Sequence, residues 1–368
     1  MEKKKVLLAL SGGVDSSVAA LLLKKQGYEV IGAFMKNWSD TKNQITGECQ
    51  WKIERRYAQK IAIQLEIPLI TLDFEKEYKS LVVDEMFKKY KKGITPNPDI
   101  DCNRKIKFPL LLKEAKKRKI DFIATGHYAR VIKKKNKFKL LRAKDETKDQ
   151  SYFLYTLKQS ELKHCLFPIG EYTKIEVRKI AEKNKFPNFD KKGTVGICFI
   201  GKINLKTFLE QKIKNKKGKI LDPEGNIIGE HNGIFYYTLG QRVGPRFDLE
   251  ISHKTEKGKD YSKWYIAKKD AKKNILVVAP QGHKLLYRKN LVLKEFHLID
   301  EDKEIYKKKA QKVLVRIRHV GELLPAKISY NKNFKIELDE EITGVSDGQA
   351  LVIYRGEKVL GGGVIGNF

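Results

Sequence analysis

The segment VLLALSGGVDSSVAALLLKKQG, residues 6–27, constrains the fold more than any other stretch of this chain. Its apolar run reads as a strand buried on both faces, and Ser11-Gly12-Gly13 must then turn sharply. Asp15-Ser16-Ser17 open a helix that stays apolar as far as Leu23. Two consecutive glycines allow backbone angles and a close approach that a Cβ would block. The loop N–H groups, the serine hydroxyls and the helix N-terminus converge on one point, which makes a cradle for an anion. No Gly-Lys-Ser/Thr follows, so the loop is not of the Walker A type.

Strand–helix alternation continues beyond this unit. Strands are predicted at Val6–Leu10, Val30–Phe34, Leu69–Leu72 and Phe122–Thr125, with helices over Ser16–Gln26, Trp51–Leu65, Glu77–Lys91 and Lys105–Lys117. Such alternation implies a parallel sheet with helices on both faces, binding its ligands at the carboxyl ends of the strands. From about residue 131 the pattern changes. RVIKKKNKFKLLRA reads as a hairpin, KDQSYFLYTL and YTKIEVRKIAEKN as helices, and GKILDPEGNIIGE as two strands around a turn. LVLKEF, QKVLVRIR, PAKISY, FKIELD and QALVIY are short alternating strands, the spacing of a small β-barrel. The expected fold class is α/β. A doubly wound parallel-sheet domain spans residues 1–200, a small central α+β domain 201–280, and a C-terminal β-barrel 281–368.

The net charge is +31, which attracts polyanions by displacing the counterions condensed on phosphates. A count of 63 lysines against 13 arginines also fits a general lysine bias, and the runs KKYKK, KKRK and KKKNKFK are scattered rather than gathered into one stripe. MEKKKVLLALSGG has a basic start, but its apolar run ends at Leu10 without a small-residue cleavage site. No stretch approaches the ~18 apolar residues that span a bilayer, and a cytoplasmic location is expected. The four cysteines, Cys49, Cys102, Cys165 and Cys198, form no CxxC pair, which argues against a zinc ribbon or a cluster with closely spaced ligands. No resident metal site is expected, and any disulfide is expected to be catalytic rather than structural.

SGGVDS resembles the signature of the PP-loop ATP pyrophosphatases, the adenine nucleotide α-hydrolase-like proteins that cleave ATP between the α and β phosphates and adenylate an acceptor oxygen. GITPNPDIDCNRKIKF, ATGHYAR, KDQSYFL, VGICFIG, YYTLGQR and LGGGVI, in that order, resemble the MnmA/TrmU family of tRNA-specific 2-thiouridylases over nearly the whole chain. The resemblance implies adenylation of the C2 oxygen of the wobble uridine in a tRNA anticodon stem-loop, then replacement of that oxygen by sulfur. It assigns ATP to Ala9, Leu10, Ser11, Gly12, Gly13, Val14, Asp15, Ser16, Met35 and Gly126, with Mg²⁺ arriving with the ATP. Cys198 would carry a persulfide received from a donor or relay protein, and Cys102 would complete the transfer through a transient Cys102–Cys198 disulfide. Asn97, Pro98 and Asp99 would meet the target base, with Asp99 the candidate for proton transfer. His127, Lys148, Asp149, Gln150, Arg318, His319 and Gln349 would meet tRNA.

Residue chemistry is consistent with these roles. Replacing a carbonyl oxygen needs a good leaving group, supplied by AMP, and a soft nucleophile, supplied by a thiolate or persulfide. Cys102 is predicted at a helix start followed by Arg104, Lys105 and Lys107, a setting that favours a thiolate. Cys49 and Cys165 read as structural. The chain departs from the family pattern at Gly193-Thr194, at Lys202 and at Arg318-His319. Two alternatives remain at this point. One is another PP-loop tRNA modifier, such as a lysidine synthetase or a cluster-dependent thiolase, though the first needs no cysteine pair and the second needs CxxC ligands. The other is a non-catalytic RNA-binding protein, against which the intact SGGVDS speaks.

Overall fold

The computed structural model describes residues 3–40, 48–193, 205–252, 263–300, 303–306, 309–319 and 321–366. Strands β1 (Lys5–Ala9), β2 (Glu29–Lys36), β3 (Leu69–Asp73) and β4 (Phe122–Ala124) pair in parallel. The chain then leaves the sheet for a hairpin, β5 (Arg130–Lys134) and β6 (Lys137–Leu141), and returns as β7 (Cys165–Leu166). The resulting order is β3-β2-β1-β4-β7. Helices α1 (Val14–Lys25) and α2 (Gln50–Gln64) cover one face through Val18, Leu23, Ala58 and Ile61. The other face carries α3 (Glu75–Tyr78), α4 (Asp84–Lys91), α5 (Pro98–Cys102) and α6 (Phe108–Lys117), which bury Tyr78, Met86, Ile100 and Leu111.

The helix expected at Lys105 begins at Pro98, because Asn97 caps it and Pro98 suits its first position. A π turn over Asn103–Lys107 joins α5 to α6. Pro109 explains it: this residue has no N–H for the Lys105 carbonyl, and its ring would clash there in a regular helix. KDQSYFLYTL contributes only a single 3₁₀ turn, Ser151–Leu154, instead of the expected helix.

Beyond the sheet, β8 (Gly218–Leu221), β9 (Ile227–His231), β10 (Trp264–Asp270) and β11 (Ile275–Pro280) form a central sheet in the order β10-β11-β8-β9. The last unit comprises β12 (Tyr287–Leu298), β13 (Gln311–Arg316), β14 (Leu324–Asn331), β15 (Asn333–Thr343), β16 (Ala350–Arg355) and β17 (Lys358–Ile365). Their order β12-β15-β14-β13-β16-β17 closes through a β12–β17 pairing into a six-stranded barrel. Strand β17 carries Gly361-Gly362-Gly363. A Cβ at Gly361 would stand 2.1 Å from the His297 carbonyl, so only glycine lets β12 approach so closely.

One part of the first unit joins the barrel. The hairpin turns through Lys135 and Asn136 at φ 48° and 58°, the left-handed angles of a two-residue turn. Its strand β6 extends the barrel sheet beside β17, pairing Leu141 with Lys358. One apolar core also runs across all three units, from Leu7 and Cys102 through Phe235 and Ile266 to Val352 and Tyr354.

Candidate active site

The Ser11–Gly13 loop is held from several sides. Gly12 adopts φ +79°, and a Cβ there would lie 2.2 Å from the Glu54 carbonyl oxygen. Ser16 Oγ accepts from the Ser11 N–H at 3.2 Å, and the Ser16 and Ser17 hydroxyls donate to the Gly13 carbonyl at 3.0 and 2.9 Å. Asn188 is fully buried and donates to the Gly12 carbonyl at 2.9 Å and to Ser17 Oγ at 3.0 Å. Asp15 accepts from the Tyr128 hydroxyl at 2.8 Å and from Lys174 at 2.6 Å. Ser11 is exposed and Gly13 half-buried, so the cradle opens to solvent at the carboxyl end of β1. Ala9, Leu10 and Val14 frame it through the sheet and the start of α1, and Leu10 donates to the Ala33 carbonyl at 2.9 Å. Met35 is buried near the carboxyl end of the neighbouring β2.

Gly126 follows β4 and packs on the start of α1. A Cβ there would stand 2.7 Å from the Ser16 nitrogen and 2.8 Å from the Asp15 carbonyl carbon. The next residue, His127, faces the second loop. Its Nε2 lies 3.4 Å from Lys107 Nζ, and its Nδ1 is 2.7 Å from Thr125 Oγ1. The ring is 8% exposed and stacks on Phe108, with centroids 5.8 Å apart. Burial, with Lys107 alongside, holds His127 well below the usual histidine range, so the imidazole is neutral at physiological pH. The neutral ring lies in the floor between the two loops.

In the second loop Asn97 Oδ1 accepts the Ile100 N–H at 3.2 Å, and Asp99 is half-buried in the first turn of α5. Cys102 lies inside the continuous helix, fully buried in the apolar core and not bonded in a disulfide. The expected cationic setting is altered by Asp101. This 6% exposed carboxylate pairs with Arg104 at 2.9 Å, Lys89 at 3.2 Å and Lys105 at 3.6 Å. Arg104 and Lys105 are thus drawn into an ion-pair cluster with Asp101 on the helix that carries Cys102. Cys198, and with it the expected disulfide, lies outside the described residues. Cys165 is core as expected: it donates to the Glu161 carbonyl at 3.2 Å, and burial pushes its thiol up.

The expected RNA-facing residues divide into two groups. Lys148 and Arg318 are exposed, the latter donating to the Gly344 carbonyl at 2.5 Å. His319 is half-buried and packs at a tilt against Phe153, with centroids 4.3 Å apart. The Gln349 side chain accepts from the Ser346 N–H at 2.9 Å, and that of Gln150 from the Tyr128 N–H at 2.9 Å. Asp149 differs from these. Its side chain has no exposure and accepts from Arg316 at 2.8 Å and from the Ser151 hydroxyl at 3.0 Å. This side chain is a buried tie between the first unit and the barrel. Arg316→Met leaves that carboxylate without its main partner and is expected to lower the unfolding free energy by ~3–5 kcal/mol. Urea denaturation measures it, and an unchanged midpoint would show that the pair does not hold the units together.

Asn188, Tyr128 and Lys174 were missed from sequence. Tyr128 sits inside ATGHYAR and Lys174 follows a Thr-capped helix start, whereas FPNFD gives no hint of Asn188.

Three family models match the chain in series. One is described as a tRNA methyl transferase HUP domain over residues 4–202, one as a tRNA methyl transferase PRC-barrel domain over 206–280, and one as an aminomethyltransferase beta-barrel domain over 288–365. The tRNA-specific 2-thiouridylase MnmA 2 of Aliarcobacter butzleri (strain RM4018) is 41% identical, covering 99% of this chain and 98% of that protein. The tRNA-specific 2-thiouridylase MnmA of Buchnera aphidicola subsp. Acyrthosiphon pisum (strain APS) is 42% identical, with coverages of 99% and 97%. That of Coxiella burnetii (strain Dugway 5J108-111) is 41% identical, with coverages of 98% and 97%.

Proposed function

The chain belongs to the tRNA-specific 2-thiouridylase family and makes 2-thiouridine in tRNA, and from that premise we propose that it adenylates the wobble uridine with ATP and then transfers sulfur from a persulfide. One observation carries this reading: a single segment, Gly126-His127, packs on the Asp15–Ser16 start of α1 just after the glycine loop and meets Lys107 in the π turn that follows Cys102. The methyl transferase wording of the family descriptions names a different chemistry. A glycine cradle beside a cysteine-bearing helix suits adenylation and sulfur transfer instead.

In this reading Ser11, Gly12, Gly13, Asp15 and Ser16 hold the triphosphate at the start of α1, and Mg²⁺ arriving with it would neutralise phosphate charge. Met35 and Gly126 border the nucleotide. The uridine C2 oxygen attacks the α-phosphorus, and pyrophosphate leaves with the electrons of the broken P–O bond. Asp99 takes up or returns the proton at the base, while Asn97 and Pro98 orient it. The terminal sulfur of a Cys198 persulfide then adds to C2, and AMP departs with the former C2 oxygen. The Cys102 thiolate attacks the Cys198 sulfur, the sulfur–sulfur bond breaks, and its electron pair stays on the new thiocarbonyl. A Cys102–Cys198 disulfide remains, and a thiol reductant reopens it. A persulfide-bearing protein recharges Cys198. Among the described residues no helix is long and apolar enough to cross a membrane, and this reading places the enzyme with tRNA in the cytoplasm.

Mass spectrometry of nucleosides from tRNA incubated with enzyme, ATP, Mg²⁺ and a persulfide donor tests the reading. 2-Thiouridine is expected; ATP consumed without it would leave only adenylation. Lys148→Ala and Arg318→Ala are each expected to weaken tRNA binding about 3- to 10-fold and to flatten its salt dependence, with ATP affinity unchanged. Filter binding at two salt concentrations measures this, and wild-type affinity in both variants would remove these residues from the interface.

A further inference from the structure

Asn37 follows β2 directly, is 1% exposed, and has no part in any assignment made above. Among the described residues it is the one buried side chain in which two polar atoms, Oδ1 and Nδ2, both lack a hydrogen-bond partner. Leaving a buried donor and acceptor unpaired costs more stability than a hydrogen bond adds, so such a group calls for a partner from outside the chain. Its neighbours hold it in place. Lys36 pairs with Glu75 at 2.8 Å and with Asp73 at 3.1 Å. Trp38 packs edge-on against Tyr78 and Phe208, with centroids 6.4 and 6.3 Å apart. The backbone is thus pinned on both sides of Asn37, and the amide is preorganised.

Its place in the fold narrows the ligand. Ala9 pairs with Ala33, and the Leu10 N–H donates to the Ala33 carbonyl, so β1 runs out into the Ser11–Gly13 cradle beside Met35. Asn37 stands two residues farther along, past the carboxyl edge of the sheet, where folds of this class take their ligands. Strand alternation puts Ala33, Met35 and Asn37 on one face, and Ala33 and Met35 both belong to the core under α3–α6. A side-chain amide offers one donor beside one acceptor, which matches the 6-amino group of adenine and the ring nitrogen next to it. A phosphate only accepts, and would leave Oδ1 unpaired. We propose that Asn37 reads the adenine of ATP: Oδ1 accepts from the 6-amino group, and Nδ2 donates to the adjacent ring nitrogen. Asn37 is then a specificity residue for the nucleotide whose phosphates the cradle holds. The proposal rests on the reading of that cradle as an ATP site.

Isothermal titration in the absence of tRNA compares ATP with purine riboside triphosphate, which keeps the ring nitrogens and the phosphates but lacks the 6-amino group. Wild-type enzyme should bind ATP at least ~10-fold more tightly, because a site built to pair an N–H disfavours the analogue without it. Asn37→Leu keeps the volume and removes both polar atoms. It should bring the two nucleotides to within ~2-fold of each other, with ATP bound ~10- to 100-fold more weakly than by wild type and the Kd for tRNA unchanged. A preference for ATP that survives in this variant overturns the proposal, since a merely structural amide would weaken both nucleotides alike and leave their ratio. Asn37→Ala removes the amide without adding atoms and must lose the same preference, which keeps the test decisive if the leucine variant does not fold. Uracil also presents a donor beside an acceptor. An intact ATP preference with weakened tRNA binding would place the amide on the uridine, and that too overturns the proposal. Wild-type enzyme separates the two readings: binding of neither nucleotide overturns the ATP site and the proposal together, whereas equal and tight binding of both overturns the proposal alone.

Discussion

Cys102→Ala enzyme will cleave ATP to pyrophosphate in the presence of tRNA while forming at least ~10³-fold less 2-thiouridine than wild type, the scale of losing a reacting nucleophile. The structure makes this substitution a clean test. Cys102 has no exposed surface and belongs to the apolar core, so alanine removes one sulfur with little change of shape around it. A small cavity of that kind costs on the order of 1 kcal/mol, too little to unfold a domain with so continuous a core. The cradle at Ser11–Gly13 is built from β1, α1, Glu54 and Asn188, and none of these depends on the Cys102 sulfur. Pyrophosphate release and nucleoside mass spectrometry should therefore separate. Retained 2-thiouridine would remove Cys102 from the transfer.

The complementary separation is expected at Gly126. Its substitution by alanine should lower AMP formation by ~10²–10³-fold, the scale of losing preorganised contacts to a reacting phosphate, with tRNA affinity intact. The new methyl would meet backbone atoms of Ser16 and Asp15, not the yielding end of a side chain, so the start of α1 must move away from β4. That movement spreads the N–H groups that converge on the anion. Normal ATP turnover in Gly126→Ala would show that the nucleotide does not bind at this helix start.

The sequence was most legible where one residue type answers to one physical need. The strands β1 to β4 and the β8–β9 turn lie close to where apolar runs and turn residues place them, and SGGVDS announced its cradle because paired glycines before a capped helix have few other uses. Strand β17 was hidden because three successive glycines look like a turn, whereas here they admit β12 and β16 at close range. The burial of Asp149 and His127 is not legible in the sequence. Their burial depends on Arg316 and Phe108, which no local pattern connects to them. The charges after Cys102 were legible, but their partner was not, because Asp101 turns inward to collect them on the first helical turns. Asn188 gave no signal at all, since it acts on a backbone carbonyl brought near only by the completed fold.

The pairing of β6 with β17 bears on how this chain can be cut. The Arg142 N–H donates to the Glu357 carbonyl at 2.8 Å, and Arg130 binds the Glu357 carboxylate at 2.6 Å, so the hairpin's outer rim is sealed by the last strand of the chain. A fragment ending after the nucleotide-binding unit would present that rim unpaired, together with the apolar faces of Leu140 and Tyr152 that the barrel covers. Bare strand edges of this kind recruit one another, so such a truncation tends toward self-association. The boundaries drawn by composition and by family models are therefore not lines along which the protein comes apart.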